Sequence, residues 1–191
     1  IKDGTPTDQT LTLQEANEWK SSFEDLIKYD PTDGHEIVYT VQENEISDYS
    51  LQMTGDMDNG FVLTNTNTET LSISVTKSWI GPVQSQAQIT LVKDGALTEQ
   101  TLTLNQENGW KASFDNLAKY DATDGHKIEY TIQEAPVENY TSKITGSMED
   151  GFTVTNTNTE TVSIPVEKHW IGPMTDSVDI TLVKDEEDTE N

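Results

Sequence analysis

The sequence predicts an all-β protein built from tandem small antiparallel β-sandwich domains. Alternation of apolar and polar residues is the first observation, because a period of two is typical of strands with one buried face. Turn sequences separate the alternating segments, and no sustained helical period interrupts them. Self-similarity is the third observation, since a repeating unit of about 90 residues with roughly seven short strands is typical of a small sandwich.

The repeat has a constant offset of 91 residues. Segment 75–79 (VTKSW) returns as 166–170 (VEKHW), and segment 39–43 (YTVQE) returns as 130–134 (YTIQE). Several further landmarks keep the same offset, so chance does not explain the match.

This offset predicts one complete and two partial domains. Residues 70–160 form a complete repeat, residues 1–69 lack the first strands of a repeat, and residues 161–191 contain only such first strands. The two partial pieces are complementary in sequence. They could join head to tail, within a ring or between neighbouring chains, or they could be the cut ends of a longer array.

The strands of the complete repeat follow one another between turn signals. Lys93-Asp94-Gly95 and Thr123-Asp124-Gly125 are hairpin or loop sequences. Trp19 and Trp110 are expected to fill the edge of the core. The residues expected to face the core are, in strand order, Leu71, Ile73 and Val75; Ile89 and Leu91; Leu102 and Leu104; Phe114; Ile128, Tyr130 and Ile132; and Phe152 and Val154.

Three polar residues share the buried face of these strands. Extending the alternation beyond Val75, Ile132 and Val154 reaches inward positions at which the sequence has polar side chains. These positions are Lys77, Glu134 and Asn156.

An amine and a carboxylate in a dry interior need a partner or must lose their charge. A plain buried Lys77–Glu134 ion pair is one interpretation. The other includes all three residues: a neutral Lys77 amine attacks the Asn156 carboxamide, while a protonated Glu134 polarises the carbonyl group and shuttles protons. That reaction would expel ammonia and leave an amide bond.

Four motifs in order resemble the CnaB-type domain, the collagen adhesin B repeat, which is Ig-like and occurs in arrays on Gram-positive surface proteins. The motifs are 75–79 (VTKSW), 110–121 (WKASFDNLAKYD), 130–134 (YTIQE) and 152–157 (FTVTNT). The resemblance implies an isopeptide bond from the Lys of the first strand to the Asn of the last strand, assisted by the Glu. Those roles fall on Lys77, Asn156 and Glu134.

The partial repeats each contain half of this constellation. Glu43 and Asn65 have no upstream Lys, and Lys168 has no downstream Glu or Asn. If the ends complement one another, we expect a bond from Lys168 to Asn65 assisted by Glu43.

Composition excludes several other functions. The chain has 11 basic residues, all of them Lys, against 35 acidic ones, and its net charge of −24 makes nucleic acid an improbable partner. It has no Cys, so disulfides are impossible. No apolar run is long enough to cross a bilayer, and we expect no cofactor, no metal site and no membrane partner.

These features predict a structural stalk that holds the tip of a cell-wall-anchored adhesin outside a Gram-positive cell, with neighbouring repeats of the same protein as partners. The alternative is that the repeats themselves bind a host protein or glycan. A hydrolytic enzyme is the least supported class, because the only reactive constellation consumes itself in one turnover.

Overall fold

A computed structural model describes residues 1–183, so residues 184–191 of the third predicted segment lie outside the described residues. Strands dominate the described chain, and the single helical element is one 3-10 turn. In chain order the elements are a 3-10 helix (Glu15–Asn17), β1 (Tyr49–Asp56), β2 (Gly60–Asn67), β3 (Thr70–Ile80), β4 (Gln86–Lys93), β5 (Ala96–Asn105), β6 (Lys111–Ala118), β7 (Tyr130–Glu134), β8 (Tyr140–Ser147) and β9 (Gly151–Asn158).

The chain divides into two compact units, Ile1–Thr159 and Glu160–Asn191. All nine strands lie in the first unit. In the second unit, residues 160–183 form no strand, and their side chains are exposed. Within residues 1–183, no helix has the length and apolar character needed to span a membrane.

Seven strands, β3 to β9, form a β-sandwich from residue 70 to residue 158. One sheet has the order β6-β3-β9-β8 and the other the order β5-β4-β7. All strand pairs in these sheets are antiparallel except β3–β9, which is parallel. The first and last strands of the repeat are therefore direct neighbours, which strand alternation alone does not reveal.

The core lies between the two sheets. Ile73 and Val75 of β3 and Val154 of β9 meet Ile89 and Leu91 of β4, and all five are at most 1% exposed. Burying each such side chain fully contributes about 1.5–3 kcal/mol relative to leaving it exposed. On these three strands, the face that the sequence predicted to point inward is the face buried between the two sheets.

The predicted Lys93-Asp94-Gly95 turn joins β4 to β5. Asp94 and Gly95 both have positive φ, 48° and 79°. A two-residue hairpin loop needs this backbone if its twist is to match the right-handed twist of the two strands that it joins. Lys93 pairs with Ala96 at the end of the ladder. Gly accepts this backbone without strain, which explains the sequence of the turn.

Residues 1–69 repeat the local structure of the complete repeat without its first two strands. The β1–β2 hairpin corresponds to β8–β9 by the 91-residue offset, and its two strands form a sheet of their own. Trp19 is 66% exposed, so its predicted place at a core edge is wrong, whereas its counterpart Trp110 packs against the core. The difference arises because Trp110 packs on Trp79 of β3, and residues 1–69 have no counterpart of Trp79.

Candidate functional site

Three strands position one buried polar cluster in the complete repeat. Lys77 lies on β3, Glu134 ends β7 and Asn156 lies on β9. Lys77 is 4% and Asn156 1% exposed, and the Glu134 side chain is similarly enclosed. The structure thus brings together the three residues that strand alternation predicted to point inward.

Glu134 stands between the amine and the carboxamide. Its Oε1 lies 3.5 Å from Lys77 Nζ and accepts a hydrogen bond of 3.1 Å from Asn156 Nδ2. Lys77 Nζ also donates to the carbonyl oxygens of Ser78, at 3.1 Å, and Val154, at 3.4 Å. One carboxylate oxygen therefore contacts both groups that the proposed chemistry would join.

The parallel β3–β9 ladder sets this arrangement. Lys77 is the Cα partner of Val154, and Trp79 is the Cα partner of Asn156. Residues two apart on a strand share a face, so Lys77 and Asn156 point into the same interior from adjacent strands, offset by two positions. The long Lys side chain spans that offset.

An aromatic cluster closes the site beside the amine. Lys77 Nζ lies 4.0 Å from the ring centroid of Trp79, within cation–π range. Trp110 and Tyr140 pack edge-on against Trp79, at centroid distances of 5.5 and 5.2 Å, and the Tyr140 hydroxyl donates to the carbonyl of Pro82. The role of Trp79 was missed in the sequence, although a Trp two residues after an inward Lys on one strand is a usable signal.

Burial acts against the charge on the Lys77 amine. Burial lowers the pKa of Lys77 below its ordinary value, against an opposing effect of the Glu134 carboxylate. Asn156 Oδ1 is buried and accepts no hydrogen bond from any described residue. An unsatisfied buried acceptor of this kind costs about 1–3 kcal/mol. The site therefore contains an amine with a lowered pKa and a carboxamide whose carbonyl oxygen accepts no hydrogen bond from the described residues.

The first partial repeat contains the matching acid and carboxamide. Asn65 Nδ2 donates to both carboxylate oxygens of Glu43, at 2.9 and 3.1 Å, and the pair is part-buried. Lys168, in the second unit, is exposed; its Nζ donates to the carbonyl oxygen of His169 and lies 4.4 Å from the ring centroid of Trp170. The bond from Lys168 to Asn65 stays a prediction.

A second polar cluster joins the β4–β5 turn to the loop before β7. His126 Nδ1 lies 2.5 Å from Asp124 Oδ1, and its Nε2 lies 3.3 Å from Asp94 Oδ2. His35 makes the same two contacts, with Asp33 and Asp3. The signal was present in the sequence, because both acids and the His recur with the 91-residue offset.

Comparison with known proteins yields one family. The family described as Cna protein B-type domain matches residues 1–66 and 73–157. The collagen adhesin of Staphylococcus aureus is 34% identical over 178 residues, which cover 88% of this chain and 14% of that protein. The chain thus spans about a seventh of this curated relative.

Solved structures of the S. aureus collagen-binding surface protein are also similar. A single B repeat unit, B1, is 30% identical, with a TM-score of 0.44 and coverage of 80% of this chain and 81% of the other. A two-unit structure, B1B2, is 30% identical, with a TM-score of 0.43 and coverage of 78% and 40%.

Proposed function

The chain belongs to the Cna protein B-type domain family, and from this premise we propose that its complete repeat is a stalk module of a surface adhesin, locked by a covalent bond between Lys77 and Asn156. The observation that carries the proposal is the convergence of the Lys77 amine, the Glu134 carboxyl and the Asn156 carboxamide in one enclosed interior.

The proposed reaction begins with transfer of one proton from the Lys77 ammonium to Glu134, which leaves a neutral amine and a neutral acid. A dry interior favours this uncharged pair. In the structure, Asn156 Oδ1 accepts no hydrogen bond from any described residue. Rotation of the carboxamide about its Cβ–Cγ bond would allow Oδ1 to accept a hydrogen bond from the protonated Glu134 acid. This polarises the carbonyl carbon toward attack.

The Lys77 nitrogen next adds to Asn156 Cγ, and the bond from Cγ to Nδ2 breaks. Glu134 delivers its proton to the leaving nitrogen, which departs as ammonia, and the resulting carboxylate accepts a proton from the attacking nitrogen. One amide bond forms, one amide bond breaks, and no oxidant or cofactor is consumed. The reaction occurs once per molecule, so the repeat is no enzyme.

Strand geometry supports a mechanical role. Because β3 and β9 are parallel neighbours, a pull on the start of β3 and the end of β9 loads their hydrogen bonds in shear. The covalent bond would bridge the same two strands. Force would then bypass the 79 residue steps between Lys77 and Asn156, which would otherwise extend at about 3.4 Å each.

We place such a module outside a Gram-positive cell, anchored to the wall, with neighbouring repeats of the same protein as partners. The S. aureus collagen adhesin among its relatives supports this location. A net charge of −24 suits a long exposed protein that must stay soluble. A cross-link built without cysteine also forms without an oxidising compartment.

Intact-mass measurement on the purified chain tests the proposal. The wild type should lack at least the mass of one ammonia molecule relative to its sequence. Lys77→Met should restore that mass, because Met keeps the length of the side chain without the amine. Glu134→Gln should restore it as well, because the amide cannot shuttle protons.

The matched control is Glu129→Gln, whose exposed side chain lies on the segment that leads into β7, and it should keep the deficit. A wild-type mass equal to the sequence mass, or a deficit that survives Lys77→Met, would overturn the assignment of Lys77. Unfolding of the variants does not confuse the result, since the wild-type mass is informative alone.

A further inference from the structure

We propose that Asn59, in the turn between β1 and β2, is a site of spontaneous modification, where the chain converts its own asparagine to aspartate and isoaspartate. Asparagine is among the chemically labile residues of proteins. A following glycine favours its cyclisation, because no Cβ keeps the backbone nitrogen away from the carboxamide carbon. The residue after Asn59 is Gly60. This inference concerns a different part of the molecule from the Lys77 site and does not rest on the function proposed above.

The sequence contains two Asn-Gly pairs, Asn59-Gly60 and Asn108-Gly109. The first lies at the β1–β2 turn and the second at the β5–β6 turn. Because the two residues of each pair are the same, any difference in reactivity must come from the surrounding structure. The hydrogen bonds of the two asparagine side chains provide that difference.

The structure holds Asn108 away from reaction. Its Nδ2 donates to the carbonyl oxygen of Thr103 at 2.8 Å, and its Oδ1 accepts from the backbone N–H of Asn105 at 3.0 Å. The N–H of Gly109, which would have to attack, donates to a backbone carbonyl in the same turn at 3.2 Å. The next residue, Trp110, packs against the core. Cyclisation at Asn108 therefore requires several hydrogen bonds to break beside a core residue.

Asn59 lies in a far less constrained turn. Among the described residues, its side chain hydrogen-bonds only to Asp56, with Nδ2 at 2.9 Å from Oδ1 and 3.1 Å from Oδ2. All residues from 56 to 60 are exposed, and Gly60 forms the last pair of the ladder, opposite Asp56. Fraying at this end lets Gly60 approach the carboxamide without uncovering a buried side chain. The counterpart of Asn59 in the complete sandwich, Asp150, is exposed as well, so exposure is a property of the turn itself.

The chemistry at Asn59 needs only water. The backbone nitrogen of Gly60 adds to Asn59 Cγ, its proton passes through solvent to Nδ2, and the bond from Cγ to Nδ2 breaks with release of ammonia. The product is a cyclic imide. Water then adds to one of the two ring carbonyls: opening at one gives aspartate, and opening at the other gives isoaspartate, whose backbone runs through the side chain. One ammonia leaves and one water enters.

The new carboxylate changes the turn, because it lies against Asp56. It replaces the amide that donates to Asp56, and two like charges at this separation repel each other. The complete repeat avoids such a pair: Ser147 Oγ donates to Asp150 Oδ2 at 3.1 Å, with Ser147 at the position of Asp56. Isoaspartate also lengthens the backbone inside a ladder of continuous register. Modification therefore loosens the end of the β1–β2 hairpin.

The experiment incubates the folded full chain in mildly alkaline buffer and follows each site by peptide mapping and the whole chain by ion exchange. Each event adds one negative charge to a chain of net charge −24. Asn59 should convert about tenfold faster than Asn108 or more, since more hydrogen bonds must break at Asn108. In concentrated urea the two sites should react at similar rates. Asn59→Gln should abolish the early charge variant, because the longer side chain closes its ring much more slowly.

An Asn59 that stays unmodified in the folded chain, or reacts no faster than Asn108, would overturn the assignment. Asn59→Gln should leave the mass deficit that depends on Lys77 unchanged. Because Lys77→Met should in turn leave the conversion of Asn59 unchanged, failure of either proposal is visible without the other.

The structural consequence has its own variants. Asn59→Asp mimics the aspartate product, and hydrogen exchange of the β1–β2 amides should be faster in it than in the wild type. Adding Asp56→Ser recreates the Ser147–Asp150 pair of the complete repeat and should restore slow exchange. Equally fast exchange with and without Asp56→Ser would overturn the repulsion between the two carboxylates as the cause.

Discussion

At the scale of single residues, His126 and its two carboxylate partners form a pH-dependent contact. Asp124 and Asp94, in that order of influence, raise the pKa of His126 above its ordinary value. A raised pKa means that the protonated ring stabilises the folded state. That contribution is complete below the unfolded pKa of about 6.5 and is lost as the pH rises through the folded pKa.

We predict that the melting temperature of the wild type exceeds that of His126→Gln most at about pH 5–6, where the ring is protonated and the carboxylates are ionised. The difference should shrink at about pH 8 and above. Thermal unfolding across this range measures it. A difference that stays constant across this range for His126→Gln would contradict the prediction.

The sequence predicted correctly which side chains point inward where the regular geometry of a strand determines their direction. Strand side chains alternate with a period of two, so apolar neighbours sufficed to place Lys77 and Asn156 inward. It did not work for contacts between loops distant in sequence. The contact from His126 to Asp94 depends on how the loop before β7 folds back, and no local pattern encodes that.

At the scale of elements, the β8–β9 hairpin carries Asn156 and depends on Gly146. Gly146 has φ +102°, and a Cβ built there would lie 2.1 Å from the carbonyl oxygen of Gly151. The same close approach occurs at Gly55 in the β1–β2 hairpin. Both hairpins therefore need a residue without a side chain at this place.

We predict that Gly146→Ala lowers the free energy of unfolding by about 1–3 kcal/mol more than Gly95→Ala does. Gly95 also has positive φ, +79°, but a Cβ there meets no atom within 4 Å, so it is the matched control for backbone strain. Urea unfolding in the Lys77→Met background measures both variants without the cross-link. Equal losses would show that the close approach relaxes freely.

Element-level prediction gave the strands and their turns but missed one pairing. The seven strands of the complete repeat follow from alternation, and the Asp94-Gly95 turn follows from its composition. The parallel pairing of β3 with β9 does not, because it joins the two ends of the repeat. Only the long-range packing of the sandwich decides which strands are neighbours.

At the scale of the whole molecule, the cross-link would close a loop of 79 residue steps. The loop-entropy model of cross-links assigns such a loop about 4.5 kcal/mol of stabilisation at 25 °C. This is comparable to the entire stability of many small domains.

We predict that Lys77→Met unfolds with a free energy about 4–5 kcal/mol below that of the wild type. Chemical denaturation of both proteins measures the difference. Lys143→Met should match the wild type, because Lys143 is exposed. Equal stability of the wild type and Lys77→Met, with the mass deficit present in the wild type, would contradict the entropic account of the bond.

The burial of Lys77, Glu134 and Asn156 links chemistry to conformational quality control. A chain that has not assembled both sheets cannot bring an amine, an acid and a carboxamide into one water-free enclosure, so the reaction would begin only after correct assembly. The loss of one ammonia would then show that one domain had folded correctly, and the loss would persist after unfolding. Intact-mass measurement of a denatured sample would therefore give the fraction of domains that had reached their native state before denaturation.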